Sequence, residues 1–347
     1  MKPDTLAILN DPELLVVRDE HFAHMEDVFA GRDKGPGQCF VLYGVAEDID
    51  VDPDNPNDIQ ARIDDAFDRL AAQADALRDR KVFRPLIITI GMRGVHFLDS
   101  MFHNHTLDPG QTWQTMRVKN PVGQLPLPDL ATDPLWALAR ECTERILAVD
   151  APVVLMNPPC LSCALNLIVN LYGTDIYYAM MDSPNAVRRD LTVVHQIVRD
   201  THKWYADNAV PTGQFQGAAA TVRCQPPGYG QIDGCSTQMV SPEFYADMIA
   251  PLDAEVLGLY PHGGMIHLCG SHTQHLATWR NMKELRSVQL CAGPNLEVDR
   301  YYTELRNDQI IYIGPTKDLS LDRILSVTSG RRIILAENLP GPLPTRR

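Results

Sequence analysis

Eight short, continuously apolar runs, rich in β-branched residues, recur along the chain with helically spaced stretches between them. They lie at 39–43 (CFVLY), 85–91 (PLIITIG), 152–156 (PVVLM), 217–224 (GAAATVRC), 264–269 (GMIHLC), 287–291 (SVQLC), 309–314 (QIIYIG) and 332–336 (RIILA). Runs without polar alternation are what parallel strands buried on both faces require. Between the first two runs, Ile59, Ile63, Phe67, Leu70, Ala74 and Leu77 fall at intervals of three and four, with Asn57 as a candidate N-cap. Residues 133–148 and 185–206 read as two more helices, and Ser241-Pro242-Glu243 opens another with serine at the cap and proline in the first turn. Strands alternating with helices imply parallel βαβ units, and eight of them imply a closed (β/α)8 TIM-type barrel. A doubly wound open sheet has the same periodicity and is the competing architecture. Residues 46–57 and 226–231 read as loops within one domain. That domain divides into an N-terminal extension (1–37), the barrel (38–338) and a tail (339–347) too short for the usual last helix.

A chain of 347 residues is long enough for one such barrel, which needs about 250. Hydrophobic residues make up 45% and charged residues 22%, the balance of an ordinary globular protein. No run approaches the roughly 18 uninterrupted apolar residues of a membrane span, and the start of the chain lacks the pattern of a signal peptide. The expected location is the cytoplasm. The formal charge of −13 opposes binding to nucleic acid or to an anionic membrane. Eight cysteines in a chain this long point to buried thiols, metal ligands or nucleophiles in a reducing compartment, not to a disulfide scaffold.

In a β/α barrel, reactive residues project from the carboxyl ends of strands. The fifth run ends His267-Leu268-Cys269-Gly270 and the sixth ends Leu290-Cys291-Ala292-Gly293. Residues two apart on a strand share a face, so His267 and Cys269 can share one ion, and imidazole with thiolate suits Zn²⁺. Cys291, on the next strand, is the natural third ligand, with Cys235 as the alternative. Asp233 follows the fourth run as a candidate acid or base. Cys160-Leu161-Ser162-Cys163 is a C-x-x-C ahead of an apolar helix. At a helix N-terminus such thiols would be acidified, the setting of a redox pair or second metal site; the apolar series after Cys163 suits a packed thiol instead. Arg93, Asn157, Tyr229 and His272 are candidate substrate contacts, Tyr229 lying between glycines as a lid residue would.

From residue 84 to 338 the order of features resembles the uroporphyrinogen decarboxylase superfamily. Asp182-Ser183-Pro184 before a long helix is similar to its "D-x-P-e-x-V" segment. Asp233 followed by Ser241-Pro242-Glu243 resembles its aspartate-then-"SPE" signature, and His267-Leu268-Cys269-Gly270 resembles the "H-x-C-G" of its zinc methyltransferase branch. The arginine-rich first-strand segment of the decarboxylases themselves is absent. The resemblance implies a β/α barrel that activates a small thiol on zinc and methylates it from a methyl-corrinoid protein or similar carrier. It implies that Asp233 faces the substrate, and that Glu337, at the end of the last run, serves as fourth ligand or base. The missing last helix motivates a homodimer. Two other functions are open: a cofactor-free decarboxylase or lyase acting on a carboxylated, tetrapyrrole-like substrate through Asp233, and a non-catalytic relative that binds a tetrapyrrole or corrinoid.

Overall fold

A computed structural model describes residues 1–32, 40–42, 45–51, 58–102, 105–107, 113–115, 117–217, 221–291 and 297–336. Twelve strands are present among them: β1 (Phe40–Leu42), β2 (Val45–Asp50), β3 (Val82–Phe83), β4 (Leu86–Gly91), β5 (His105–Leu107), β6 (Trp113–Thr115), β7 (Leu155–Asn157), β8 (Gly230–Asp233), β9 (Gly264–Leu268), β10 (Leu285–Leu290), β11 (Ile310–Ile313) and β12 (Ile333–Ala336). They form a seven-stranded sheet in the order β3-β1-β12-β11-β10-β9-β8, a three-stranded sheet β2-β4-β7, and a small β5-β6 ladder. Every pairing in the two larger sheets is parallel, and helices separate their strands, so the class is α/β as expected.

The ladders make two sheets, where the sequence led us to expect one closed barrel. Between β3 and β4 lie Arg84 and Pro85, and proline has no N–H to continue a ladder. Next to β7 lies a lone parallel bridge to a residue outside β8, Met156 to Phe215, with Met156 N–H donating to Gln214 O and Gln216 N–H donating to Met156 O (2.8 Å each).

Two segments depart from the sequence reading. The acidic stretch from 46 begins as strand, not loop: β2 runs to Asp50 and pairs with β4 from Val45↔Leu86 to Asp50↔Gly91. Glu47 finds partners on the following helix, accepting from Arg69 and from Gln73 (2.8 Å), while Ile49 enters the core. The fourth strand is β8, not 217–224; Thr221–Arg223 is a 3-10 turn, and Gly230 and Gln231, read as loop, open the strand.

The helices follow their capping signals. Asp133 accepts from Trp136 N–H (2.8 Å) ahead of Pro134–Leu147, and Ser241 accepts from Phe244 N–H (3.2 Å) ahead of Pro242–Phe244. The latter helix widens to a π turn at Tyr245–Ile249, where Pro251 cannot supply the next amide hydrogen. The helix Ile59–Gln73 begins after Asp58; Asn57 lies outside the described residues.

At the amino ends of β8 and β9 two glycines bring backbones together. A methyl on Gly264 would meet Gly230 O at 2.4 Å, and one on Gly230 would meet the Tyr260 ring at 2.1 Å. We expect Gly264→Ala to destabilise the fold by about 1–3 kcal/mol or more, read as a lower urea midpoint with an unchanged slope. An unchanged midpoint would mean that the strands part there at no cost.

Candidate metal centre

The register of β8, β9 and β10 sets the site. Asp233 pairs with His267, and His267 with Gln289, so a carboxylate, an imidazole and a carboxamide stand side by side at the strands' carboxyl ends. His267 Nδ1 is hydrogen-bonded to Gln289 Oε1. An amide oxygen only accepts, so Nδ1 carries the hydrogen. Nε2 lies 3.1 Å from Cys269 Sγ.

Cys235 joins this pair. Gly234 N–H donates to His267 O (2.8 Å), and the chain then turns as a 3-10 helix, Cys235–Met239, over the end of β9. A side chain on Gly234 would meet Ile266 Cγ2 at 2.7 Å, so only glycine lets the turn sit this close. The donor atoms of Cys235, His267 and Cys269 all lie within 4.8 Å of one another, and both thiols are partly exposed. Two thiols and an imidazole at this spacing can close on one soft cation, whose donors stand about 3.5 Å apart. A hydrogen bond from Cys235 and the contact with His267 pull the Cys269 thiol down to about 4, and the same bond with burial pushes Cys235 up. One proton is thus easily lost from the pair and the second is held.

The turn is clamped from behind by two buried histidines. His272 Nε2 lies 2.8 Å from Cys269 O and its Nδ1 2.8 Å from Thr237 Oγ1, while His275 Nε2 lies 2.8 Å from Thr237 O. Burial lowers both pKa values, that of His272 to about 4, so both rings are neutral and each donates from Nε2 to a carbonyl. Behind His275, Tyr245 donates to Asp253 Oδ2 (2.9 Å) and accepts from Trp279 Nε1–H (2.8 Å). From the other side Asn166 donates to Asp233 O (2.7 Å) and accepts from Ser236 N–H (2.8 Å), spanning the Gly234–Cys235 corner.

Asp233 is paired: Arg223 Nη1 donates to Oδ1 (2.8 Å) and Cys160 Sγ–H donates to Oδ2 (3.3 Å). Arg223 arrives from the turn in the segment that the sequence suggested was a strand. Arg93 is buried just after β4 with φ 55°, and Asn157 is buried at the end of β7, donating to Thr89 Oγ1 (3.2 Å).

Several sequence expectations are corrected here. Cys291 follows the last paired residue of β10, its N–H donating to Leu268 O (3.1 Å), and its thiol is not among the converging donors; Cys235 takes that place. Tyr229 precedes β8 at the opposite end, buried against Phe29 (centroids 4.7 Å) and His262 (5.3 Å), where it can neither cover nor touch the site. His272 has both nitrogens committed to the clamp and is unavailable to a substrate. In the C-x-x-C the packed-thiol reading, not the acidified one, fits: Cys163 caps the helix Ala164–Tyr172 by accepting from Asn166 N–H (3.4 Å), and burial raises both thiols. Glu337 lies outside the described residues. Arg223, Asn166 and Gln289 went unread, because isolated polar residues carry no spacing signal.

Fold and site together define an α/β protein of parallel sheets with a Cys–His–Cys cluster at its strand ends that can hold a metal ion. No family model matches the sequence, and no curated protein does. Among solved structures, a methyltransferase from Methanosarcina mazei is similar, with a TM-score of 0.48 at 10% identity over 69% of this chain and 71% of that one. No helix among the described residues is long and apolar enough to cross a membrane.

The support behind the site has a pH signature. Burial raises the Asp253 carboxyl to about 7, against about 4 in an unfolded chain, so the fold prefers it protonated. That contribution is full below about pH 4 and is lost as pH rises through about 7. Asp253→Asn should therefore gain on wild type by on the order of 2–4 kcal/mol between those limits, measured by urea unfolding across the range. A difference that does not vary with pH would contradict a protonated Asp253.

Proposed function

We propose that this chain is a zinc-dependent methyltransferase of the uroporphyrinogen decarboxylase-like kind, its two parallel sheets forming arcs of one β/α barrel. The observation that carries this reading is the convergence of Cys235, His267 and Cys269 within 4.8 Å, with His267 Nδ1 tied to Gln289. Among the described residues three protein donors converge, a number that leaves a fourth position for an incoming ligand, as in catalytic rather than closed structural zinc sites. A hydrogen-bonded second nitrogen on the liganding histidine is the usual support of such a site.

A small thiol fits the fourth position. Unassisted, it has a pKa near 8.5 and is mostly protonated at pH 7. Zinc, when bound, supplies the positive charge that removes this proton and holds the sulfur for in-line attack on a methyl group. The protein's own residues do the positioning. Gln289 orients His267, Asn166 with Thr237 holds the turn that bears Cys235, and the Arg223–Asp233 pair stands beside the cluster as a fixed dipole. The methyl donor is a methyl-corrinoid protein or a similar carrier meeting the same strand ends.

One observation favours a second reading. Asp233 is gripped by Arg223 and by the Cys160 thiol without calling on the cluster, which suits a cofactor-free decarboxylase or lyase acting on a carboxylated substrate.

Zinc per chain, by elemental analysis of protein purified without an affinity metal, separates the two. We expect one equivalent in wild type and in Cys291→Ser, and little in Cys269→Ser or Cys235→Ser, with all four folded by circular dichroism. Wild type without zinc would remove the methyl-transfer reading and leave Asp233 as the centre of any chemistry.

A further inference from the structure

The sequence's one C-x-x-C is not where two sulfurs meet. Cys163 is spent as a helix cap and Cys160 is hydrogen-bonded to Asp233. Among the described residues, the thiols that meet are Cys235 and Cys269, thirty-four positions apart, their sulfurs within 4.8 Å of each other and both partly open to solvent. Asp233 and His267 are direct partners across β8 and β9, and the chain carries Cys269 just past the end of β9 while the turn after Gly234 folds Cys235 over that end. A modest approach of the two sulfurs closes a disulfide.

From this geometry we propose that Cys235 and Cys269 form a reversible oxidation site, closed to a disulfide by peroxide-class oxidants, and that closure removes two of the three metal donors. The pairing rests on the proximity of the two sulfurs alone; the consequence for metal rests on the zinc reading above. The chemistry balances with one peroxide per pair. One sulfur attacks a peroxide oxygen, the O–O bond breaks, and the sulfur becomes a sulfenic acid with release of water. The second sulfur attacks the first, the S–O bond breaks, and the hydroxyl leaves with a proton as a second water. Two thiols are oxidised by two electrons and the peroxide is reduced to two waters. His267 then remains as a lone donor and cannot retain the ion.

The test uses the full chain, purified reduced and then treated with near-stoichiometric hydrogen peroxide. Peptide mapping without reductant reads the linkage, and a chromogenic chelator reads released metal. We expect a single Cys235–Cys269 cross-link, reversed by dithiothreitol, with metal released mole for mole as it forms. Cys235→Ser should abolish the link and let Cys269 advance to sulfinic acid, whereas Cys291→Ser should retain it. A Cys160–Cys163 link in its place, or no Cys235–Cys269 link once thiols are consumed, would overturn the proposal. If the protein carries no zinc, the cross-link still decides this inference, and the zinc reading fails separately.

Discussion

The alignment of Asp233, His267 and Gln289 across three parallel strands is the constraint on which the rest of the site depends. Register partners in a parallel ladder point to the same side, so a slip of one residue in β9 would turn His267 and Cys269 away together. Backbone proximity at the far end of the same strands resists that slip, since Gly230 and Gly264 leave no room for a methyl. The register also assigns each neighbour its work. Gln289 sits where it can take the hydrogen of His267, and Asp233 sits where Arg223 can neutralise it. Cys269, two residues beyond His267, inherits the same face.

What the register cannot do is hold Cys235, which lies past the end of its strand. That task falls to a buried polar shell. An unpaired polar group costs about 1–3 kcal/mol when buried, so a shell of this kind persists only if its members satisfy one another. Thr237 is gripped at both its hydroxyl and its carbonyl by neutral histidines, and Asn166 joins the two sides of the corner with one donor and one acceptor. Gly270 completes the arrangement. Its φ of +84° and the 2.0 Å approach of Gln238 Oε1 to where a side chain would begin make glycine a steric requirement of the His-x-Cys-Gly run.

Much of this was legible in the sequence, for reasons that differ by residue. The strands announced themselves because burial on both faces demands continuous apolar runs, and seven of the eight runs overlap strands. The run at 217–224 failed the same rule: an apolar composition does not choose between strand and turn, 218–220 lie outside the described residues, and Arg223 is the residue that the turn Thr221–Arg223 presents. The stretch from 46 failed in reverse, because Glu47 is satisfied by Arg69 and Gln73 on a helix that local reading does not connect to it. His267 and Cys269 were legible because two ligands on one strand have a fixed spacing. The third donor was not, since whether Cys235 or Cys291 reaches the pair depends on how two different loops leave their strands.

Burial sets three of the cysteines apart from the rest. Cys142, Cys163 and Cys224 are buried, and burial pushes each of their pKa values up, the condition of inert packed thiols. Cys235 and Cys269 are partly exposed, and they share one proton through a hydrogen bond beside an oriented imidazole. A structural metal site would seal its thiolates behind a fourth protein ligand and bury them, since exposure serves no purpose there. Three convergent donors left partly open are suited to ligand exchange. On the methyl-transfer reading, the partial exposure that would serve a substrate thiol would equally serve an oxidant, so reactivity and vulnerability would follow from one geometric fact.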